Sequence, residues 1–346
     1  MKRSVLYIFN LATDSKHPSL AFTIDWISEF SKSFDRVKVF STKVGTYKFQ
    51  DNVEIRELGG GSSKKRFIAL MRLFKTFLNV FSERENAVVF HHQSPRTSLF
   101  PGLLFRLIGV PQILWYSHSA IPISLKFGAR IVNGVVSSEP NSISLKSNRI
   151  QYIGHGISPL RFNREIRESR IENEILYVGR IDPIKHLEEI INSVALSGEM
   201  LAVRLVGPTS YSNYGNKLKV LAARLNIPLE IQSFIEYSQV PNLFSRYSFV
   251  YSGMRNSVDK TSLEATMSGC LVITTDEGTL QLSGMREAWL QFHNQIPNDL
   301  SSQIRVLKSL NPEIRKKMSQ VARDVNLNQN SLEVTVGRIS RKFSEY

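Results

Sequence analysis

The sequence predicts an α/β protein that consists of two doubly wound, Rossmann-like parallel-sheet domains in series. Short β-branched and aromatic runs alternate with longer amphipathic stretches along nearly the whole chain. Near-continuous apolar strands that alternate with helices are typical of parallel sheets covered on both faces. The chain has 346 residues, which corresponds to about two domains at roughly 150 residues each.

Each half of the chain contains the same alternation of strands and helices. In the first half, the predicted strands are 4–9, 37–41, 87–91, 112–116, 132–137 and 150–153, and the predicted helices are 19–34, 64–81 and 96–108. In the second half, the predicted strands are 175–178, 203–206, 229–232, 249–252, 271–274 and 289–292, and the predicted helices are 186–197, 212–225 and 262–268. The polar segment 159–174 is the predicted linker, which places the domains at 1–158 and 159–330.

The composition excludes several classes of protein. A hydrophobic share of 42% with 21% charged residues is ordinary for a globular protein and excludes a disordered chain or a collagen-like fibre. The net charge of +14 indicates a polyanionic partner such as a phosphorylated ligand, an anionic membrane or a nucleic acid. The single cysteine, Cys270, fits a reducing cytoplasm. The sequence shows no targeting segment or spanning helix, so we expect a protein that is not integral to a membrane.

Residues just after the strands carry most of the functional information, because open parallel sheets bind ligands at the carboxyl ends of their strands. After the strand 175–178 come Gly179 and Arg180, then Lys185 near the start of a helix. Two cations around one loop can both reach a diphosphate, helped by free N–H groups at the helix start. The alternative is that Arg180 pairs with Asp182 and Lys185 is simply solvated.

A second group of residues lies in the loop and helix after the strand 249–252. Glu264 falls in the first helical turn, where a carboxylate can accept hydrogen bonds from the vicinal hydroxyls of a ribose. Thr261 followed three residues later by Glu264 also matches a capping box, in which the two side chains close the helix start. The two interpretations remain open at this point.

Together these segments resemble the nucleotide-sugar-binding half of the GT-B retaining glycosyltransferases of family 4, also called glycosyltransferase group 1. The matching pieces are 178–185, 205–207 and 263–273, and the resemblance is good over about 170–275. It implies that Arg180 and Lys185 hold the donor diphosphate, that Glu264 binds the ribose, and that the last helix, about 331–346, packs back on the first domain.

The sequence departs from the family pattern at Asn256, where the family has the first of two glutamates. In the family this glutamate lies near the donor sugar, and an asparagine there can hydrogen-bond but carries no charge. Asp259 and Lys260 are therefore possible sugar contacts. His118 follows a strand of the first half, where the family often has a histidine that contacts the sugar. His118 and Asn256 are the candidate catalytic residues.

The resemblance implies transfer of a sugar, with retention, from a nucleoside diphosphate sugar to a cell-surface glycan or lipid-linked acceptor of a bacterium, such as lipopolysaccharide. Two fixed cations at the diphosphate would make a divalent metal unnecessary, so we expect no metal and no cofactor. One alternative is a glycosyltransferase-like subunit that binds donor without reacting, because Asn256 departs from the pattern. Another is a basic nucleic-acid-binding protein, although no nucleic-acid-binding motif is present and no nucleic acid is expected.

The predicted helix 64–81 carries five cations and no acidic residue. Its apolar residues fall on one face at helical spacing, which predicts that this face packs on the first sheet. The cations of the opposite, basic face are then either simply solvated or meet anionic lipid at the inner face of the plasma membrane. The apolar residues are Phe67, Leu70, Met71, Phe74, Phe77, Leu78 and Phe81, and the candidate membrane-facing cations are Lys64, Lys65, Arg66, Arg72 and Lys75.

Overall fold

The computed structural model describes residues 4–59, 63–163, 165–167, 169–209, 211 and 213–346, and for 63–70 it describes the backbone alone. The chain divides into two compact units. The first unit is Met1–Gly156 with Leu332–Tyr346, and the second is Ile157–Ser331. The boundary therefore lies two residues before the predicted one.

The first unit contains a seven-stranded sheet in which every strand pair is parallel. Its strand order is β3-β2-β1-β4-β5-β6-β7, so the order reverses between β1 and β4. The strands are β1 (Val5–Thr13), β2 (Arg36–Val44), β3 (Val53–Glu57), β4 (Ala87–His92), β5 (Gln112–Trp115), β6 (Gly134–Ser137) and β7 (Ile150–Tyr152).

Helices cover both faces of this sheet because side chains alternate along each strand. Leu6 and Ile8 of β1 pack in one core with α1 (Thr23–Ser31) and the C-terminal helix α14 (Leu332–Phe343). Val5, Tyr7 and Phe9 point into the other layer, formed by α2 (Ser63–Ser82) and α3 (Pro95–Leu107). Further along that layer, α4 (Ile123–Ile131) packs against β5 and β6.

The prediction for the apolar face of α2 is wrong. The residues that face the sheet are Leu73, Thr76, Phe77 and Val80, of which Thr76 and Val80 are fully buried. The apolar set predicted to be inside is largely outside: Met71, Phe74, Leu78 and Phe81 are all exposed. Phe67 and Leu70 lie outside the residues whose side chains are described, as do the cations Lys64, Lys65 and Arg66.

The second unit contains a five-stranded parallel sheet in the order β10-β9-β8-β11-β12. Its strands are β8 (Ile171–Val178), β9 (Ala202–Val206), β10 (Leu229–Gln232), β11 (Tyr247–Tyr251) and β12 (Leu271–Ile273). One contiguous core joins this sheet to its helices. The helices are α5 (Pro159–Phe162), α6 (Leu187–Ser197), α7 (Tyr214–Arg224), α8 (Val240–Phe244), α9 (Lys260–Met267), α10 (Glu277–Leu282), α11 (Met285–His293), α12 (Leu300–Ser309) and α13 (Pro312–Asn330).

Three local predictions differ from the structure. The predicted linker 159–174 belongs to the second unit, where it contains α5, with Phe162 fully buried, and the first residues of β8. The predicted strand 289–292 is part of α11, because a short apolar run around a buried Trp289 fits either element. The sequence did not predict the edge strand β3, because in its five residues apolar side chains alternate with charged ones that remain exposed.

Candidate functional site

The candidate site lies at the carboxyl edge of the second sheet, on both sides of the point where the strand order reverses. β8 pairs with β9 on one side and with β11 on the other, so the connections leave β8 and β11 in opposite directions. Such switch points open a crevice beside the sheet, where open α/β folds bind their ligands. Arg180 and Lys185 follow β8, and Asn256, Asp259 and Glu264 follow β11.

Arg180 is the most accessible cation of this group. Its side chain is 60% exposed, and its Nη1 lies 3.5 Å from Asp182 Oδ2. This long, solvent-screened pair contributes little and does not immobilise the guanidinium. The backbone beneath it is held, because the Tyr177 hydroxyl donates to the Arg180 carbonyl over 2.8 Å. Arg180 is thus anchored at its backbone, whereas its guanidinium remains largely exposed.

Lys185 is buried and paired, so the alternative of a solvated lysine does not hold. Its Nζ donates to both carboxylate oxygens of Asp259, at 2.6 and 2.8 Å, and the two side chains are only 10% and 19% exposed. An ammonium has three N–H donors, so the pair leaves one donor for a ligand. Asp259, predicted as a sugar contact, instead holds the ammonium that would face the diphosphate.

The helix start after β8 differs from the prediction. A single 3₁₀ turn, Pro183–Lys185, precedes α6, and His186 between them has a left-handed backbone with φ of 50°. The N–H groups predicted to be free are occupied: Ile184 donates to Asp182 Oδ1 at 3.1 Å, and Leu187 donates to the Tyr214 hydroxyl at 3.2 Å. An anion at this loop would therefore be held by side chains.

Glu264 does not form a capping box. The residue that precedes the first turn of α9 is Asp259, which places Thr261 and Glu264 inside the helix. The carboxylate is 98% buried in the second unit, and its Oε1 accepts from the Tyr237 hydroxyl at 2.7 Å and from Lys260 Nζ at 2.8 Å. Among the described residues, none hydrogen-bonds its Oε2. Two donors thus fix the carboxylate while one oxygen remains for a ligand.

Tyr237 is a site residue that the sequence analysis missed. It follows β10 in a 3₁₀ turn. Lys260 Nζ lies over its ring, 5.1 Å from the ring centroid, in a cation–π contact. The signal was its place after the carboxyl end of a strand, the same rule that identified Arg180. Lys260, predicted as a sugar contact, is engaged by Tyr237 and Glu264.

Asn256 lies exposed on the loop between β11 and α9. Its φ is 59°, a left-handed conformation that asparagine adopts several-fold more readily than most other residues. Its backbone N–H donates to Asp276 Oδ2 over 3.0 Å. The backbone conformation gives a physical reason for an asparagine at this position.

His118 lies in the first unit, exposed, after the carboxyl end of β5. Its Nδ1 accepts from the Ala120 N–H at 2.9 Å, which assigns the neutral ring's proton to Nε2. The ring therefore presents an N–H donor to solvent.

Two glycines allow the loops after the strands to lie close together. A Cβ at Gly207, after β9, would overlap the carbonyl of Gly179, and the φ of 150° is unfavourable for other residues. A Cβ at Gly253, after β11, would overlap the carbonyl of Lys185. Glycine is thus required at both positions, where these loops pack backbone to backbone.

The charges of the site are nearly balanced. Arg180, Lys185 and Lys260 face Asp182, Asp259 and Glu264, and two of the cations are neutralised by short ion pairs. In the part of the chain that the structure describes, no group of three or more His, Cys, Asp or Glu side chains is arranged to hold a metal ion. The accessible positive charge is thus that of Arg180 and the third donor of Lys185.

Residues 161–325 match the family model for glycosyl transferases group 1, and no curated protein sequence is significantly similar to the chain. Several solved structures share its fold. The crystal structure of HepE from Anabaena in complex with UDP and glucose aligns with a TM-score of 0.70 at 12% identity, over 99% of this chain and 100% of that chain. A glycosyltransferase from Rickettsia africae aligns with a TM-score of 0.67 at 16% identity, over 98% of both chains. The lipopolysaccharide outer core galactosyltransferase WaaB aligns with a TM-score of 0.65 at 11% identity, over 99% of this chain and 100% of that one.

These comparisons establish the fold of the chain and a family match within its second unit. The chain has the GT-B fold of two Rossmann-like domains, and residues 161–325, which lie in the second unit, match the glycosyl transferases group 1 model. The matched segment contains the residues placed at the switch point, whereas His118 lies outside it.

Proposed function

We propose that the chain, through its glycosyl transferases group 1 domain, transfers a sugar from a nucleoside diphosphate sugar to a hydroxyl group of an acceptor, with retention. The observation that carries the proposal is the grouping of Arg180, Lys185 and Glu264 at the switch point of the sheet, inside the segment matched by the family model. The HepE structure, which contains UDP and glucose, supports a nucleotide-sugar donor.

The cations stabilise the departing diphosphate in this mechanism. Negative charge develops on the leaving phosphate as the bond to the sugar breaks, and fixed cations lower the energy of that state. Arg180 approaches from solvent, whereas Lys185 is oriented in advance by Asp259. Asp259 is therefore a positioning residue. No metal ion is needed in this scheme, so chelators should leave the activity intact.

Glu264 binds the ribose through Oε2, the carboxylate oxygen that no described residue hydrogen-bonds. Tyr237 and Lys260 hold the other oxygen and so fix the direction in which Glu264 accepts the two ribose hydroxyls. Asn256, on the loop after β11, would offer its uncharged side-chain amide to the donor sugar, and the sugar contact of His118 stays a prediction. The proton of the attacking hydroxyl passes to the leaving phosphate.

The acceptor in this proposal is a cell-surface glycan or a lipid-linked saccharide at the inner face of the plasma membrane. The similarity of fold to WaaB, a lipopolysaccharide outer core galactosyltransferase, supports this class of acceptor. It also agrees with the net charge of +14, which attracts the protein to anionic surfaces.

Binding of nucleoside diphosphates and nucleosides to site variants tests the proposal. Arg180→Gln and Lys185→Met should each weaken diphosphate binding by about 1.5–3 kcal/mol, which is roughly 10- to 150-fold, and leave nucleoside binding unchanged. Arg224→Gln on α7, also exposed, is the matched control and should change neither. Equal losses for diphosphate and nucleoside would contradict the assignment.

The departure at Asn256 favours one second candidate, a subunit that binds the donor without turning it over. Donor hydrolysis or transfer, measured with the sugar that binds most tightly, separates the two. Donor binding with neither reaction, for the native chain and for Asn256→Glu alike, would favour the binding subunit.

A further inference from the structure

The outer surface of the first unit carries an apolar patch that the sugar-transfer site does not use. It is formed by the three helices α2, α3 and α4, which lie side by side on one face of the sheet. In an ordinary α/β domain the outward face of such helices is polar, and patches of this kind mark interaction surfaces. We call it the outer apolar face; it consists of Met71, Phe74, Leu78, Phe81, Phe100, Leu103, Leu104, Leu107, Ile123 and Phe127.

The exposure of these side chains is large and continues across all three helices. Phe100, Leu107 and Ile123 are 77%, 75% and 72% exposed. The same helices also bury an inward stripe, which includes Val80, Phe105 and Leu125. The helices are therefore apolar on two sides, and only the inner side is covered by the sheet.

The charge of the same helices is one-sided. Together α2, α3 and α4 contain nine Lys and Arg and no Asp or Glu, although the whole chain has 30 acidic residues against 44 basic ones. Among the residues whose side chains are described, none of the six cations on these helices forms an ion pair, and all six are exposed. They are Arg72, Lys75, Arg96, Arg106, Lys126 and Arg130.

Exposed apolar side chains surrounded by unpaired cations match one kind of partner, an anionic bilayer surface. Apolar side chains partition into the boundary between headgroups and acyl chains, and cations pair with the lipid phosphates. The guanidinium of Arg130 lies 5.7 Å from the ring centroid of Phe127, which brings a charge and an apolar anchor to the same depth. None of the described helices has the length and apolarity that a bilayer-crossing segment needs.

We propose that the outer apolar face inserts into the headgroup region of an anionic membrane. The side chains of Phe100, Leu107 and Ile123 enter the boundary first, and the surrounding cations bind lipid phosphates. This replaces the predicted contact through the basic side of one helix by a surface of three helices in which apolar insertion and charge act together. The proposal rests on the proposed function only for its purpose, which is to bring the enzyme to a lipid-linked acceptor.

Co-sedimentation of the full chain with lipid vesicles tests this. With equal parts of phosphatidylglycerol and phosphatidylcholine the native chain should pellet, and with phosphatidylcholine alone its affinity should fall by at least about 100-fold. The triple variant Phe100→Ser, Leu107→Ser, Ile123→Ser should lose at least about 100-fold in affinity for the anionic vesicles. The control is Leu196→Ser, Met200→Ser, Val220→Ser, which removes equally exposed apolar side chains from the second unit and should pellet normally.

A second pair of variants tests the charge. Affinity for the anionic vesicles should fall about 100-fold in the triple variant Lys75→Gln, Arg106→Gln, Lys126→Gln. Each cation contributes about fivefold to the affinity near an anionic surface. Lys217→Gln, Lys219→Gln, Arg224→Gln on α7 removes the same charge from exposed positions of the second unit and should change binding little. Circular dichroism on heating confirms that each variant is folded.

Three results would overturn the proposal. The first is pelleting that ignores lipid charge, and the second is pelleting that survives both triple variants of the outer apolar face. The third is a native chain that binds no vesicles and forms a dimer by light scattering, while the triple serine variant is a monomer. That result would assign the face to a second copy of the chain. The melting shift caused by a nucleoside diphosphate is measured on the same native protein. Vesicle binding without a melting shift would refute sugar transfer, whereas a melting shift without vesicle binding would refute the membrane surface.

Discussion

Replacing Glu264 by glutamine tests the ribose contact while it keeps the shape of the side chain. The side chain is almost fully buried, and the amide has nearly the same shape, so the packing of α9 is retained. The change removes the ion pair with Lys260. The Tyr237 hydroxyl can still donate a hydrogen bond, to the amide oxygen of the glutamine. What is lost is the negative charge at the oxygen that faces the ligand.

The expected magnitude follows from the number and kind of hydrogen bonds. A hydrogen bond to a charged group contributes about 1.5–3 kcal/mol, against about 1 kcal/mol for a neutral one. Two ribose hydroxyls on one carboxylate should therefore lose about 1–4 kcal/mol, which is roughly 5- to 1,000-fold in affinity. The loss of the partly exposed Lys260 pair should lower the free energy of unfolding by about 1 kcal/mol.

The assay is isothermal titration with the nucleoside diphosphate that gives the largest melting shift, and with its 2′,3′-dideoxy analogue. Glu264→Gln should weaken binding of the parent nucleotide roughly 5- to 1,000-fold and leave binding of the analogue nearly unchanged. Glu174→Gln is the matched control, because Glu174 also accepts a tyrosine hydroxyl, from Tyr247 at 3.0 Å, but lies earlier in β8. Equal weakening of parent and analogue would refute a ribose contact at Glu264.

The remaining predictions concern stability and reactivity. Burial lowers the pKa of His91 to about 4, so between about pH 6.5 and 4 the unfolded chain binds a proton that the native protein does not. As the pH is lowered through that window, the free energy of unfolding should fall by up to about 1.4 kcal/mol per pH unit. His91→Gln should remove this part of the pH dependence, measured by urea titrations at several pH values. Gly207→Ala should destabilise by more than about 3 kcal/mol because its Cβ overlaps the Gly179 carbonyl, whereas Gly198→Ala, with open space around it, should cost about 1 kcal/mol; equal melting points for the two would contradict this. Burial raises the pKa of Cys270 to about 11, so a thiol reagent at about pH 8 should react with it in denaturant and not in the native state.

Much of the fold could be predicted from the sequence because its signals are local. Buried parallel strands are continuous apolar runs, and the loops after them carry the polar residues, so the two sheets and the positions of Arg180, Lys185 and Glu264 were predictable. The edge strand β3 and the helix around Trp289 were not, since an exposed strand and a short buried helix lack a distinctive period.

The partners of each side chain were decided by the tertiary structure alone. Lys185 and Asp259 are 74 residues apart in the chain and meet only because β8 and β11 are neighbours in the sheet. The same is true of Tyr237, which meets Glu264 from the loop after β10.

The helix α2 shows the limit of sequence periodicity most clearly. Its apolar residues outnumber the positions that one face can bury, so the pattern established an amphipathic helix but left open which residues face the sheet. Packing buried Thr76 and Val80 and left Phe74 and Phe81 outside. The sequence determined that the helix forms, through local hydrogen bonds and spacing, whereas its rotation about its own axis depends on contacts with β1, β4 and α3 that no local pattern encodes.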